Sequence, residues 1–322
     1  MPASEIATDL LPPLAAYLRL RLEAPAAFLL ESVERGWLGR FSLAGAGSRL
    51  VSFEEAETLG EPVVGYLGYD AAARLEPSVP LPAAGPDVPD SLFLVPETLV
   101  RFDHARGVAE LLRGTADALT GPQPEVPRGA GRRGPLEREP AREEHLRRVE
   151  RAQRHIREGD VFQVVLSQRA TRPTSASPVE LYRALRRVNP SPYLFLLELG
   201  DLALVGSSPE SVVRCRGRRA ELNPIAGTVA RGDGDAAALL ASEKERAEHT
   251  MLVDLGRNAL SRVCRPGSVR VERFMEPERY SHVTHLVSEI AGELRPGVAP
   301  WELLRACVPA GTVSGAPKVR AM

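Results

Sequence analysis

Glu245 and Glu248 stand three positions apart in Ser242-Glu-Lys-Glu-Arg-Ala-Glu-His249. On a helix that spacing puts both carboxylates on one face. Met251, Leu252 and Leu255 continue the face, so the acids sit where the helix begins to be buried. Carboxylates entering a partly buried site are costly unless a cation or hydrogen bonds satisfy them. A hard cation such as Mg2+ would do so while keeping several waters and taking oxygens from a substrate. The same acids could instead pair with Lys244 and Arg246 on a solvated helix, a pattern common enough to be preferred on these residues alone. Upstream, Asn223-Pro-Ile-Ala-Gly-Thr228 reads as a tight turn offering backbone N–H groups and the Thr228 hydroxyl. Gly227 there lets a ligand approach the backbone closely. Side by side, the two stretches describe a pocket for an anionic small molecule held against a divalent cation.

Two histidines lie in Arg279-Tyr-Ser-His-Val-Thr-His-Leu-Val287. If the segment is a strand, His282 and His285 point to opposite faces and cannot share one ion, which disfavours zinc. His285, between Val283 and Val287, could serve as a pocket acid or base, because histidine titrates near neutrality. The alternative is a buried histidine satisfied by hydrogen bonds. Gly206-Ser-Ser-Pro-Glu-Ser211 presents Glu210 at a strand end, and Gly311-Thr-Val-Ser-Gly-Ala-Pro317 is another loop of small residues. Taken singly, such loops read as turns. The sequence has no Walker loop, dinucleotide fingerprint or Gly-x-Ser-x-Gly elbow, so nucleotide cofactors and covalent catalysis are disfavoured.

The elements that must position these residues read as α+β with a large, mostly antiparallel sheet. Residues 1–120 alternate short apolar runs with Gly/Pro breaks, with strands at 26–30, 63–69 and 93–95. Residues 121–142 shift to Pro, Gly and Arg and read as a linker that cannot order itself. The remaining 143–322 form a second region. It opens with a helix whose apolar positions are Leu146, Val149, Ala152 and Ile156, with Gly159 as its stop. A strand at 161–169 follows, placing Gln163, Val165 and Ser167 on one face. Then come a helix at 178–188, strands at 193–199 and 202–206, a long helix at 235–262, strand character after 280 and a helix at 300–307. The net charge of −1 over 322 residues implies neither nucleic acid nor an anionic membrane as partner. Cys215, Cys264 and Cys307 fit neither a disulfide framework nor a zinc site, which points to a reducing cytoplasm. No apolar run is long enough to span a bilayer.

These pieces, in this order, resemble the chorismate-utilising enzymes, most closely their anthranilate synthase component I branch. The matching stretches begin with Leu29-Leu-Glu-Ser32, Val64-Gly-Tyr-Leu-Gly-Tyr-Asp70, Gly159-Asp-Val-Phe-Gln-Val-Val-Leu-Ser-Gln-Arg169 and Asn189-Pro-Ser-Pro-Tyr193. They continue with Ser208-Pro-Glu-Ser211, Pro224-Ile-Ala-Gly-Thr228 and residues 243–258, 279–288 and 309–322, so that nearly the whole chain is covered. The resemblance implies that fold and a reaction in which chorismate and ammonia give anthranilate and pyruvate. It turns the acidic helix face into a Mg2+ site, with Glu248 as ligand and Glu245 as its companion. Gly227, Thr228 and Gln163 would hold substrate, Glu210 would line the pocket, and His285 would transfer a proton. Glutamine would supply the ammonia through a separate amidotransferase subunit. Glu31, Ser32, Asn189, Pro192, Tyr193 and Leu194 match the family's tryptophan feedback site, with Leu194 where methionine is common.

Two positions choose among relatives. Water-adding members use a lysine base where this chain has Gln163, and a neutral amide cannot deprotonate water. Aminodeoxychorismate relatives carry a nucleophilic lysine where this chain has Ala226. An aminodeoxychorismate synthase component remains the alternative within the family. A non-catalytic remnant that binds an amino acid or partner is the alternative of another class. Departures from the family pattern occur at Val229 and Ala230, at Glu61-Pro62, and at Ala259, where an acid is lost. The family also continues beyond its Ala-Pro-Lys segment into strands bearing a carboxylate-binding arginine and a further magnesium carboxylate. The resemblance therefore implies an incomplete C-terminus, and the 322-residue polypeptide alone is expected to be inactive and aggregation-prone.

Overall fold

Ser52 and Ser177 show how local chemistry starts helices in this chain. Each side chain accepts the N–H three residues on, and Glu55 or Glu180 at that position returns a carboxylate to the serine N–H. The computed structural model describes residues 5–8, 11–32, 39–80, 87–122, 124–129, 131–279 and 283–322. In chain order the strands are β1 (Glu5–Ala7), β2 (Ala26–Glu31), β3 (Phe41–Gly47), β4 (Arg49–Val51), β5 (Val64–Leu67), β6 (Ser91–Val95), β7 (Thr98–Asp103), β8 (Val108–Arg113), β9 (Glu137–Glu139), β10 (Gln163–Val164), β11 (Arg169–Thr171), β12 (Tyr193–Leu199), β13 (Leu202–Ser208), β14 (Arg214–Arg216), β15 (Arg219–Leu222), β16 (Ile225–Ala230), β17 (Arg270–Arg279), β18 (Val283–Glu293) and β19 (Gly315–Ala316). The helices are α1 (Pro13–Glu23), α2 (Phe53–Thr58), α3 (Ala72–Leu75), α4 (Arg142–Arg157), α5 (Pro178–Val188), α6 (Asp235–Ala241), α7 (Glu243–Ser261), α8 (Pro300–Cys307), α9 (Gly311–Ser314) and α10 (Lys318–Ala321).

The chain divides into two compact units that do not follow its order. One comprises residues 1–71, 83–137 and 171–209; the other comprises 72–82, 138–170 and 210–322. These bounds differ from the composition-based division at 120 and 142. The reason is pairing: β12 joins β2 along Leu194–Leu199, so residues far beyond the composition break complete the first unit's sheet. That sheet has seven strands in the order β1-β8-β7-β3-β2-β12-β13. Helices α1 and α5 close one core around Tyr17, Leu18, Leu29, Phe102, Tyr182 and Leu196. A three-stranded sheet, β4-β6-β5, belongs to the same unit. The second unit is built on β18, which pairs with β15 and β16 along one edge and with β17 along the other. Helices α7 and α8 bury Val253, Leu260, Leu303 and Ala306 with Ile290 of that sheet. The α+β class with large antiparallel sheets is what the structure contains.

Four local readings are corrected. Residues 121–142 are not a structureless linker: Gly129 N–H donates to Glu180, Gly134 N–H donates to the Pro173 carbonyl at 2.8 Å, and α4 begins at Arg142. The backbone supplies the order that the missing apolar side chains could not. The expected strand at 161–169 is a strand only at β10, where it pairs with β19, and again at β11. The long helix at 235–262 breaks at Ser242, whose ψ of 110° ends α6 and whose hydroxyl caps α7. The stretch around Gly227 is no tight turn but the strand β16, bulged between Ala226 and Thr228, with Gly227 at φ 65°. That left-handed value is one glycine adopts at no steric cost.

Candidate active site

Helix α7 opens with its acids in place. Ser242 Oγ accepts the Glu245 N–H at 3.3 Å, and Glu243 and Glu245 lie in the first turn, where the helix dipole favours negative charge. Glu245 and Glu248 are both half-buried. Lys244 reaches the Glu245 carboxylate at 3.4 Å from an exposed position, so one acid has the solvated partner that the charge pattern allowed. Glu248 forms no ion pair among the described residues. It accepts instead from Gln163 Nε2 at 3.2 Å, while Gln163 Oε1 is buried with no hydrogen-bond partner among the described residues.

That unpartnered amide oxygen beside a carboxylate is the observation that tests a metal here. A buried acceptor lacking a donor is costly, and a hard cation takes carboxylate and amide oxygens at close range. The donor set at Glu248 and Gln163, with Glu245 one turn away, fits Mg2+. Among the described residues the one trio of close potential ligands lies elsewhere, at His155, Glu158 and Asp160 on the exposed end of α4. There Asp160 already holds Arg320 at 2.6 Å and His155 at 2.8 Å. Glu248 and Gln163 open onto a cleft bordered by Met251, Val253 and two exposed aromatic side chains, Phe162 and Phe274.

The bulge in β16 brings the next residues together. A Cβ on Gly227 would lie 3.2 Å from Glu245 Oε2 and 3.1 Å from Leu239, so the glycine backbone packs directly on the acid. Past the bulge Thr228 stands opposite His285 of β18. His285 Nδ1 lies 3.0 Å from Thr228 Oγ1 and 3.1 Å from the Gly227 carbonyl. A proton on Nδ1 satisfies that carbonyl and leaves Nε2 as the basic nitrogen of the ring. His282 lies outside the described residues.

Glu210 is not among the residues that border the Glu248 cleft. It lines a cavity with Asn223, Pro224, Gly311 and Thr312. Burial pushes its carboxyl up to about 7, although the Ile225 N–H opposes the shift by donating to it.

Two positioning groups escaped the sequence reading. Asp235 is buried at the start of α6 and accepts from Arg279 at 2.8 Å and from the Thr284 hydroxyl at 2.7 Å. The Arg279 guanidinium, then the Thr284 hydroxyl, hold its carboxyl well below the usual range. Thr284 neighbours His285, so this acid anchors the strand pair that carries the histidine. His249, wholly buried, shares Ser288 Oγ at 2.6 Å, and that oxygen accepts the Met275 N–H at 2.9 Å. Neither group has a signal in the sequence, because each partner lies about 39–49 positions away.

The residues matched to a tryptophan site fall in the first unit. Glu31 ends β2 opposite Leu194 of β12, and it is buried against Tyr182 Oη at 2.6 Å and Arg186 at 2.8 Å. Ser32 Oγ is buried without a hydrogen-bond partner among the described residues. Tyr193 N–H donates to Ser191 Oγ at 3.3 Å across Pro192, and the Asn189 carbonyl accepts from Ser207 at 2.7 Å. Strand pairing thus brings Glu31, Ser32 and Leu194 together, with Asn189 held from β13.

A family model for chorismate binding enzymes matches residues 11–322. The chain belongs to the chorismate binding enzyme family. As a chorismate binding enzyme it is 43% identical over 371 aligned positions to anthranilate synthase component 1 of Thermus thermophilus, covering 98% of this chain and 79% of that protein. The Streptomyces coelicolor protein of the same name is 40% identical, with 99% and 73% covered. Among solved structures, anthranilate synthase component I from Streptococcus pneumoniae superposes with a TM-score of 0.75 at 31% identity, covering all of this chain and 83% of that one. The menaquinone-specific isochorismate synthase MenF of Escherichia coli reaches 0.76 at 20% identity and shares the fold alone. No helix among the described residues is long and apolar enough to cross a membrane.

Proposed function

We propose that this chorismate binding enzyme is an anthranilate synthase component I, joining chorismate and ammonia to give anthranilate, pyruvate and water at the entry to tryptophan biosynthesis. The observation that carries the reading is the pairing of Gln163 with Glu248. It puts a neutral amide, with no base of its own, beside the acid best suited to hold a metal. Ammonia is already a nucleophile and needs no base, whereas water does. Ala226 supports the same choice, since it is buried in β16 and offers no nucleophile.

In this reading Glu248 and Gln163 hold Mg2+ with Glu245 behind them. Bound there, the ion supplies a Lewis acid for the substrate's ring carboxylate. Gly227 and Thr228 bind the substrate at the bulge. His285, its ring fixed through Nδ1, accepts or returns a proton at Nε2. Glu210, protonated to near neutrality by burial, is suited to hold a proton in the cavity that it lines. Ammonia comes from glutamine through a separate amidotransferase subunit, and Glu31, Ser32, Asn189, Pro192, Tyr193 and Leu194 form a tryptophan feedback site. The three unpaired cysteines suit a reducing cytoplasm.

The test is product analysis of the gene product incubated with chorismate, Mg2+ and ammonium ion. Anthranilate and pyruvate in equal amounts are expected, and isochorismate or aminodeoxychorismate as the product would refute the reading.

A further inference from the structure

One half-buried cation has no part in the chemistry above. Lys318, at the start of α10, donates through Nζ to the Ala306 carbonyl at 3.3 Å and the Val308 carbonyl at 3.4 Å, at the end of α8. Two acceptors leave one of the three ammonium donors without a partner among the described residues. Lys318 forms no ion pair among the described residues. Burial pushes its proton affinity below the ordinary lysine value; the Cys307 thiol and Glu76 carboxylate oppose that shift, and Arg262 adds to it.

The lysine lines a cavity of about 80 Å³ whose walls include Leu222, Leu252, Leu255 and Ala259. That volume holds several waters or one small ion. Ser211 lines the same cavity, and its Oγ is buried with no hydrogen-bond partner among the described residues. Glu210 lines it too, and below pH of about 7 its carboxyl is a donor rather than a negative charge. A half-buried ammonium and a hydroxyl without a partner among the described residues are donors on one cavity. Water would satisfy them in part, but an anion also compensates the charge. Along α7 the cavity runs from Leu252, one turn beyond Glu248 on the same face, to Ala259, roughly 16 Å from Glu248, so Lys318 and Ala259 mark its far end.

We propose that this cavity is a binding site for one small monovalent anion, a chloride or a formate-sized carboxylate, anchored on Lys318 and Ser211. The site goes beyond the chorismate reading and shares Glu210 with it.

Thermal unfolding tests it. The protein is held at pH 6 in sodium gluconate, an anion too large for the cavity, and titrated at constant ionic strength with sodium chloride or sodium formate. A saturable rise in Tm of roughly 2–4 °C is expected. Lys318→Met should lose the response. Ala259→Asp places a tethered carboxylate in the cavity and should lose it as well while raising Tm in gluconate; this variant decides the matter if Lys318→Met does not fold. A response that fails to saturate, or equal responses in wild type and Ala259→Asp, would overturn the proposal. So would displacement of the anion by chorismate, which would place it in the substrate cleft.

Discussion

Gln163 Oε1 and Ser32 Oγ share a condition that residue chemistry makes expensive: both are buried acceptors with no hydrogen-bond partner among the described residues. Each such atom costs about 1–3 kcal/mol unless something fills it. For Gln163 the proposed filling is the cation at Glu248. Glu248→Gln keeps the size and removes the charge, so the Mg2+ concentration giving half-maximal turnover should rise at least about tenfold. An unchanged Mg2+ titration would remove Glu248 from the metal site. For Ser32 the proposed filling is tryptophan. Ser32→Leu should relieve inhibition by tryptophan and leave the chorismate KM as it was, whereas equal inhibition of both proteins would exclude the site. Glu210 gives a pH prediction. Its carboxyl binds its proton up to about 7 when folded, against an ordinary glutamate value of 4.5. Between those values the folded state holds more protons than the unfolded one, so stability falls as pH rises from 4.5 to 7 and is level above. The drop attributable to this group is at most about 3 kcal/mol, less in proportion to the solvent its carboxyl retains. Glu210→Gln should flatten that part of the stability–pH profile, as urea unfolding at pH 5 and pH 7.5 would show.

At the scale of elements, the break between α6 and α7 and the bulge in β16 do the positioning. Ser242→Ala should cost about 1 kcal/mol by removing the α7 cap. Gly227→Ala is the sharper probe. It strains a backbone at φ 65° and puts a methyl 3.2 Å from Glu245 Oε2, so both stability and Mg2+ binding should suffer. A loss of about 1–3 kcal/mol in urea unfolding is expected. A variant with native stability and native Mg2+ affinity would show that the bulge does not set the acid's position.

For the whole molecule, the prediction concerns the ammonia supply. The chain has no cysteine in a nucleophile context, and Cys264 and Cys307 are buried, with burial pushing the Cys307 thiol up to about 12. Turnover of the full-length gene product with ammonium salts should therefore need no second protein, while turnover with glutamine should require an added amidotransferase subunit. Glutamine hydrolysis by this protein alone would refute that division of labour.

What the sequence settled by itself was local in origin. The helix α5, with its serine–glutamate box, and the strands at 193 and 202 were legible because neighbours decide them. The shared face of Glu245 and Glu248 was legible because helical spacing is fixed by geometry. Family likeness was legible because whole motifs survive in order. The composition of residues 121–142 misled, since backbone hydrogen bonds to 173–180 order a stretch that lacks apolar side chains. What only tertiary structure decided were meetings across long stretches of chain. Gln163 meets Glu248 over 85 positions and Thr228 meets His285 over 57. Gly227 touches Glu245 only because a bulge turns β16, and Lys318 faces a cavity only because α8 ends above it with two carbonyls to spare. Side-chain pairing of this kind depends on strand register and burial, which are set by the packing of the entire unit. No window of sequence contains both partners, so no local propensity can encode their contact.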